Sequence, residues 1–219
     1  MTLDRDGAEH FGAAVISLEP LLAKLFAEHP PAAAGTRTFE SPCLRDVLTP
    51  MGPIAQLAAR LLGPLARPVR AILFDKNAAV NWGLGWHQDR VIAVRSRIDV
   101  AGFGPWSVKR GVHHVAPPWP VLSAMRTLRV HLDAVPADNA PLLVVPGSHR
   151  LGIVVESDVA ELVERMGSRA CLAAAGDVWA YATPILHASA PSTKPRHRRV
   201  LQLDYSAGRL PGGLDYYGV

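Results

Sequence analysis

Cysteine is scarce in this chain of 219 residues, which contains Cys43, Cys171 and no Cys-x-x-Cys pair. That scarcity excludes a cysteine zinc knuckle and is typical of proteins kept in a reducing compartment. The opening residues, MTLDRDGAEHFG, also lack the apolar block of a secretory signal peptide. We therefore expect a cytoplasmic protein.

Long apolar runs and clusters of basic residues are missing as well. No run approaches the roughly 20 apolar residues that a membrane-spanning helix needs, so we expect no membrane association. The formal net charge is +4, but the 23 Lys and Arg residues are scattered and are not interleaved with aromatic residues. This distribution argues against a nucleic-acid partner. We expect a small-molecule substrate as the partner, and nothing in the pattern indicates an oligomeric state.

Composition predicts one globular domain over residues 1–219. Hydrophobic residues make up 49% of the chain and charged residues 19%, which is typical of a chain that buries a core. Helical periodicity dominates the first part, at about 1–67, and short strand-like segments dominate the part that follows.

Two helices are predicted in the first part from apolar residues that recur on one helix face. The first spans 18–26, with Ser17 placed as its N-cap and Pro30-Pro31 placed to end it. The second is predicted to begin at Pro53, because proline is favoured in a first helical turn, and to end at Gly63.

Beyond residue 67, segments rich in β-branched residues and bounded by Gly, Pro, Asn or Asp predict strands. A helix over 158–166, with Ser157 as its N-cap, interrupts them. Many short strands without alternating helices favour an antiparallel sandwich or barrel. The segment 90–120 shows no period, and we expect a long loop that is functional or ordered by a ligand. The predicted strands are 69–76, 127–135, 142–145, 177–183 and 199–206.

The stretch NWGLGWHQDR, residues 81–90, places His87 two residues before Asp89. On an extended strand these two side chains point to the same side, so both can reach one metal ion. His-x-Asp is a weak pattern by itself, and the chain contains it again at His131 and Asp133. Apolar and polar residues alternate around the second copy, which is typical of a strand with one apolar face. Neither copy decides the function alone.

The C-terminal third adds the residues that an α-keto-acid site would need. His187 is a second histidine, and two His with one Asp form the facial triad of non-haem Fe(II) sites, which leaves coordination positions open. An α-keto diacid that chelates such an iron needs a planar bidentate partner for its far carboxylate, a role suited to Arg198. Ser189 lies two residues after His187 and is expected to donate a hydrogen bond to the same carboxylate.

Three blocks of the sequence resemble the phytanoyl-CoA dioxygenase family of Fe(II)/2-oxoglutarate oxygenases, and they occur in the family's order. They are WHQD at 86–89, DNAPLLVVPGSHRLG at 138–152 and HASAPSTKPRHRR at 187–199. The resemblance implies a mainly β fold with flanking α-helices, in which about 68–206 form a double-stranded β-helix, or jelly roll.

Carried over residue by residue, the resemblance implies roles for the residues in these blocks. It implies that His87, Asp89 and His187 bind iron, and it therefore selects the first His-x-Asp copy over the second. It also implies that Arg198, assisted by Ser189, binds the far carboxylate of 2-oxoglutarate.

Three further positions are interpreted through the same resemblance. Lys76, on the strand before the HQD stretch, is expected to face the cosubstrate. Arg129 occupies a position where relatives often carry an aromatic residue, and we expect it to contact the cosubstrate or the substrate. Ala140 replaces the family's usual glycine; because a left-handed turn would cost alanine about 1 kcal/mol, we expect an adjusted turn there.

Together these features predict a dioxygenase that uses Fe(II), 2-oxoglutarate and O2 to hydroxylate a small organic substrate, with release of succinate and CO2. Asp89 favours hydroxylation over halogenation, because halogenating relatives lack this carboxylate. Two alternatives stay open. One is a non-catalytic jelly roll that binds a metal or ligand, and the other is a zinc hydrolase, since two His and one Asp also suit Zn2+.

Overall fold

The structure, a computed structural model, describes residues 1–29, 35–37 and 41–219. The longer helices of the first third cover one face of a β-sheet structure that follows. The described helices are α1 (Leu3–Asp6), α2 (Glu19–Glu28), α3 (Pro42–Val47), α4 (Pro53–Leu62), α5 (Trp119–Ser123) and α6 (Val159–Met166). None of these described helices is long and apolar enough to cross a membrane.

The first predicted helix forms, but it starts differently from the prediction. α2 begins at Glu19 after a 3-10 turn over Ile16–Leu18, and no side chain caps it. The prediction of Ser17 as the N-cap is wrong, because Ser17 lies inside this turn and not at the helix boundary. Pro30 and Pro31, predicted to end the helix, lie outside the described residues.

The second and third predicted helices also form. α4 begins at Pro53 and ends before Gly63, as predicted, because proline lacks the N–H that a first turn would leave unpaired. α6 follows a 3-10 turn over Glu156–Asp158. This turn contains Ser157, so the prediction of Ser157 as the N-cap of α6 is wrong for the same reason as in α2.

The described strands form three antiparallel sheets. The largest has the order β1-β11-β8-β13-β3-β2, the second β10-β9-β12-β4, and the smallest β5-β7-β6. The strands are β1 (Ala8–Phe11), β2 (Thr36–Arg37), β3 (Arg67–Lys76), β4 (Leu84–His87), β5 (Ile92–Val94), β6 (Trp106–Lys109), β7 (Val112–Val115), β8 (Arg126–His131), β9 (Leu142–Val144), β10 (Arg169–Cys171), β11 (Val178–Ala182), β12 (His187–Ser189) and β13 (Arg198–Ser206).

Alternation along the long strands sorts the side chains of the six-stranded sheet between its two faces. Leu73, Leu128 and Leu201 lie on the outer face and share one buried cluster with Leu22 of α2 and Leu57 of α4. Because residues two apart share a face, the intervening residues point away from the helices, into the interior of the jelly roll. The predicted mainly β fold with flanking helices is confirmed, and its interior is where polar residues gather.

The segment 90–120 was expected to be a long loop, and this expectation is wrong. It contains the three strands of the smallest sheet, which pair in register from Ile92 with Val115 to Lys109 with Val112. Strands of three or four residues are too short for their period to register in the sequence. The sheet has its own apolar cluster, which includes Val94 and Val115.

Candidate active site

A histidine pair across two neighbouring strands forms the centre of the site. His87 is the last residue of β4 and His187 the first residue of β12, and they are direct partners in the antiparallel pair. Asp89 lies two residues beyond the end of β4. One potential ligand atom from each of the three residues lies within 4.8 Å of the other two. The structure therefore brings the three predicted iron ligands together.

The hydrogen bonds of both imidazoles leave the same ring nitrogen available. His87 Nδ1 lies 2.8 Å from the carbonyl oxygen of Gly85, and His187 Nδ1 lies 2.9 Å from that of Ile185. A carbonyl can only accept, so each Nδ1 carries the proton and each Nε2 keeps its lone pair. Such a backbone partner is the usual means of fixing the tautomer of a metal-binding histidine. Burial also lowers the pKa of His187 to about 4, so this imidazole is neutral near neutral pH.

The carboxylate of Asp89 is oriented by a buried arginine. Arg70 Nη2 donates to Asp89 Oδ2 at 3.0 Å, and Arg70 Nε donates to Asp204. Thr127 in turn donates to Asp204 Oδ1 at 3.0 Å. Burial opposes the charge of Asp89, but the neighbouring Arg70 keeps the pKa of this carboxyl below its usual value. Asp89 is thus a fixed anion beside the two imidazole rings.

Sequence reasoning missed Arg70 and its support of Asp89. A signal was available: Arg70 is a charged residue inside a strand-like run of apolar residues, and it alternates with the core residues Val69 and Ala71. Its register partner on β13 is Asp204, a carboxylate in an equally apolar segment. Charged residues at such positions are buried only when they are paired.

Gln88, between the two predicted ligands, points to the opposite side of the chain, as expected. Its side-chain nitrogen donates to the carbonyl oxygens of Gly152 and Pro184, and its oxygen accepts from the backbone N–H of Val154. Gln88 is 5% exposed. It ties the HQD stretch to two other segments and so fixes the direction in which His87 and Asp89 point.

A cavity of about 380 Å³ opens beside the His-Asp-His cluster. Its deep end is formed by Arg198, which is 2% exposed. Its wall combines apolar residues such as Phe74 and Leu142 with the polar residues Arg129 and Gln202. The lining residues are Gly35, Arg37, Arg70, Ile72, Phe74, Trp82, Leu84, His87, Asp89, Arg110, Arg129, Leu142, His187, Ala188, Ser189, Arg198 and Gln202.

Arg198 and Ser189, the two residues predicted to bind the far carboxylate, lie together at the deep end. Arg198 Nη1 donates to the carbonyl oxygen of Ala140 and lies 3.4 Å from Ser189 Oγ. Arg198 Nε is buried and has no hydrogen-bond partner among the described residues. Burial, together with the charge of Arg129, lowers the pKa of Arg198 to about 9. The guanidinium is therefore a cation in a poorly solvated position, and no carboxylate of the described residues contacts it.

Lys76 lies on β3 directly opposite Arg198. Its Nζ donates to Ser189 Oγ at 2.9 Å and to the carbonyl oxygen of Ala190 at 2.7 Å. It is fully buried but does not line the cavity. Burial and the charges of Arg198 and Arg129 lower the pKa of Lys76 to about 7. In this structure Lys76 contacts Ser189, which does line the cavity.

Arg129 lines the cavity between the deep end and the cluster. Its Nη1 donates to Gln202 Oε1 at 2.8 Å, and its guanidinium carbon lies 5.4 Å from the ring centre of Phe74. Its buried Nε has no partner in the described part of the chain. Like Arg198, it carries a donor that a ligand in the cavity would satisfy.

Ala140 adopts the left-handed conformation that a glycine at this position would favour, with a φ of 52°. The expectation of an adjusted turn is therefore wrong. The carbonyl oxygen of Ala140 accepts hydrogen bonds from Arg198 and from Ser189 Oγ. These contacts hold the turn in place despite the strain that a side chain brings to it.

A family model for the phytanoyl-CoA dioxygenase family (PhyH) matches residues 40–200, a range that includes the whole His-Asp-His cluster and Arg198. The chain belongs to this family. The predicted class, a non-haem Fe(II)- and 2-oxoglutarate-dependent oxygenase, is thereby confirmed at the level of the family, and iron and 2-oxoglutarate are the cofactors of that class. No curated protein matches the chain in a sequence search.

Solved structures of similar fold are distant in sequence. EctD from S. alaskensis, in its apoform, is 22% identical, with a TM-score of 0.65 over 99% of this chain and 78% of EctD. AviO1 from Streptomyces viridochromogenes Tue57 is 22% identical, with a TM-score of 0.62 over 96% of this chain and 94% of AviO1. The epimerase SnoN, in complex with Fe3+, alpha-ketoglutarate and nogalamycin RO, is 19% identical, with a TM-score of 0.64 over 96% of this chain and 88% of SnoN. At these identities the likeness concerns the fold.

Proposed function

We propose that this protein is a single-domain dioxygenase that hydroxylates a small organic molecule, with Fe(II), 2-oxoglutarate and O2 as reactants. Bound iron and 2-oxoglutarate would supply the oxidation: the substrate C–H becomes C–OH as 2-oxoglutarate and O2 give succinate and CO2. The protein's own part is to hold these reactants and to exclude others.

The donor set supports iron at the His-Asp-His cluster. His87 and His187 would bind through Nε2, because both Nδ1 atoms donate to backbone carbonyl groups. Asp89 would bind through its carboxylate while Arg70 holds its Oδ2 atom. Two imidazoles and one carboxylate are the ligands of non-haem Fe(II) sites with open positions.

The cavity supports 2-oxoglutarate beside that iron. Arg198 and Ser189 would bind the far carboxylate at the deep end, where the unpartnered Nε of Arg198 would gain an acceptor. Lys76 would act through Ser189, whose hydroxyl it contacts. Arg129, held by Gln202 and stacked on Phe74, would contribute a second cationic donor along the cosubstrate. Guanidinium groups bind carboxylates in a planar, charge-assisted geometry.

One observation carries the proposal: the two free Nε2 atoms, the Asp89 carboxylate and the uncompensated Arg198 guanidinium share one cavity. A zinc hydrolase would need the cluster but has no use for a buried cation at the far end. A non-catalytic protein would not need the open positions. Asp89 also supports hydroxylation over halogenation, since its carboxylate occupies the place that a halide would need.

The test is anaerobic addition of Fe(II) and 2-oxoglutarate to the protein. Chelation of iron by the keto acid should give a weak metal-to-ligand absorption band in the visible range, which zinc cannot give. In Arg198→Lys the band should still form, but at about 10-fold higher 2-oxoglutarate concentration, because a bidentate contact is lost. His187→Ala should abolish it. A wild-type protein that binds Fe(II) without forming the band would contradict the proposed function.

A further inference from the structure

Two arginines at the outer end of the cavity have no proposed role in binding the metal or the cosubstrate. Arg37 lies on β2 and Arg110 lies in the turn between β6 and β7, and both line the cavity. We call these two residues the rim pair. Arg110 is exposed and Arg37 half-buried, in contrast to the fully buried Arg198.

The position of Arg37 follows from strand pairing. Arg37 is the register partner of Ile72, a residue of β3 that lines the cavity. Paired residues on neighbouring strands point to the same face of the sheet, so Arg37 points into the cavity. Gly35 makes this approach possible, because a Cβ atom there would lie 2.8 Å from the ring of Phe74.

The position of Arg110 depends on an unusual turn. Arg110 and Gly111 connect β6 to β7 with φ angles of 52° and 79°. A two-residue hairpin turn of this kind strongly prefers Asn or Gly at its first position. An arginine in left-handed conformation at the edge of a cavity is the sort of outlier that marks a functional position.

Among the described residues, no carboxylate contacts the rim pair. Within the described chain, neither guanidinium forms an ion pair or a hydrogen bond with another residue, and the Nε of Arg37 is buried without a partner. Asp89 is the one acidic residue among the described residues that line the cavity, and Arg70 already binds it. Burial lowers the pKa of Arg37, and the guanidinium groups of Arg70 and Arg110 lower it further, while the carboxylates of Asp89 and Asp204 offset part of this shift. Among the described residues, the rim therefore holds two nearby cations that no carboxylate contacts directly.

We infer that the prime substrate of this enzyme is an organic acid whose carboxylate or phosphate group binds between Arg37 and Arg110. The anion would hold the outer end of the molecule while its carbon skeleton lies along Ile72 and Trp82, toward the His-Asp-His cluster. This inference rests on the proposed function and adds the substrate class to it. Carboxylates and phosphates are the groups that paired guanidiniums recognise best.

The first test uses inorganic phosphate as the probe, titrated by calorimetry into protein loaded anaerobically with Fe(II) and saturating 2-oxoglutarate. Phosphate should bind to the wild type. Arg37→Gln and Arg110→Gln should each weaken binding by about 10-fold or more, the effect of losing one charge-assisted contact. Lys109→Gln is the matched control: it removes a neighbouring charge on the same hairpin that does not line the cavity. Its effect should stay below about 2-fold, as for a solvent-screened charge.

The second test follows succinate formation with matched pairs of substrates, each an organic acid and its methyl ester. Each acid should stimulate succinate formation more than its methyl ester does. The KM of a stimulating acid should rise about 10-fold or more in Arg37→Gln and Arg110→Gln. Equal stimulation by esters, absence of phosphate binding, or an equal effect of Lys109→Gln would overturn the inference. Its failure is distinguishable from that of the proposed function, because the absorption band of the loaded wild type is measured before any phosphate is added.

Discussion

His-x-Asp occurs twice in this chain, and the two copies share their local structure. His87 is the last residue of β4 and His131 the last residue of β8, and in each case the aspartate follows two residues later. The partner across the sheet differs. His87 pairs with His187, whereas His131 pairs with Val200.

The two aspartates also differ in the residues that they contact and in whether they face the cavity. Asp89 faces the cavity and meets Arg70 from the other sheet. Asp133 accepts hydrogen bonds from the backbone and the guanidinium of Arg199, at distances of 2.6 to 2.9 Å. His131 is buried, and neither of its ring nitrogens has a partner among the described residues. A short motif thus acquires its chemistry from residues that are distant in the sequence.

The largest expected difference between the copies is in iron binding. Asp89→Ala should lower the affinity for Fe(II) by more than about 100-fold, since loss of even an outer partner of a ligand costs 10 to 100-fold. It should also abolish the absorption band with 2-oxoglutarate. Metal titration under anaerobic conditions measures the first effect directly.

Asp133→Ala is the matched control for that experiment, because it removes the same group from the second copy. It should bind Fe(II) as the wild type does. Equal loss of iron binding in both variants would mean that the two copies do not differ in function. The assignment of the iron site to His87 and Asp89 alone would then be wrong.

The middle residues of the two copies offer the next comparison. Gln88 makes three hydrogen bonds to the backbone, two of them buried, whereas Leu132 lies in the apolar cluster beneath the helices. Gln88→Leu should lower the free energy of unfolding by about 3 kcal/mol, because it leaves buried backbone groups without partners. Urea unfolding of the metal-free protein measures this effect. A loss below about 1 kcal/mol would show that water replaces the amide.

Much of the fold could be predicted from the sequence, because its determinants are local. The β-branched residues of 69–76 and 199–206 and the proline at position 53 are signals of this kind. The predictions of Ser17 and Ser157 as N-caps were wrong, because a 3-10 turn extends each helix start and no sequence signal marks it. The small sheet within 90–120 was missed because its strands are too short to show a period.

The residues of the candidate site also divide into those that the sequence could identify and those that it could not. His87, Asp89 and His187 were selected through a family resemblance, which carries information about distant parts of the chain that spacing does not. Arg70 and Arg37 belong to no block of that resemblance, and their roles depend on strand register. Arg37 faces the cavity because β2 pairs with β3 at Ile72, and no local pattern predicts that pairing.

His131 of the second copy should also couple the stability of the protein to pH. Burial lowers the pKa of His131 to about 3, from an ordinary value of 6.5. Below pH 6.5 the unfolded chain takes up a proton that the folded protein does not, so this histidine favours unfolding increasingly as the pH falls. His131→Leu should therefore gain about 2 kcal/mol in unfolding free energy relative to the wild type between about pH 7 and pH 5. Urea midpoints at the two pH values measure the change, and a constant difference would mean that His131 is protonated in the folded state.

The smallest expected effect concerns the carboxylate of the second copy. Asp133→Asn keeps the size of the side chain but loses the charge that Arg199 contacts through Nε and Nη2. Because both side chains are partly exposed, water screens the pair, and the free energy of unfolding should fall by about 1 kcal/mol. Urea unfolding at low and at high salt measures this loss, which should shrink at high salt. A loss of several kcal/mol would instead indicate that Asp133 holds the end of β8 in place. The second copy would then have a specific structural role, just as the first is proposed to have a specific role in binding iron.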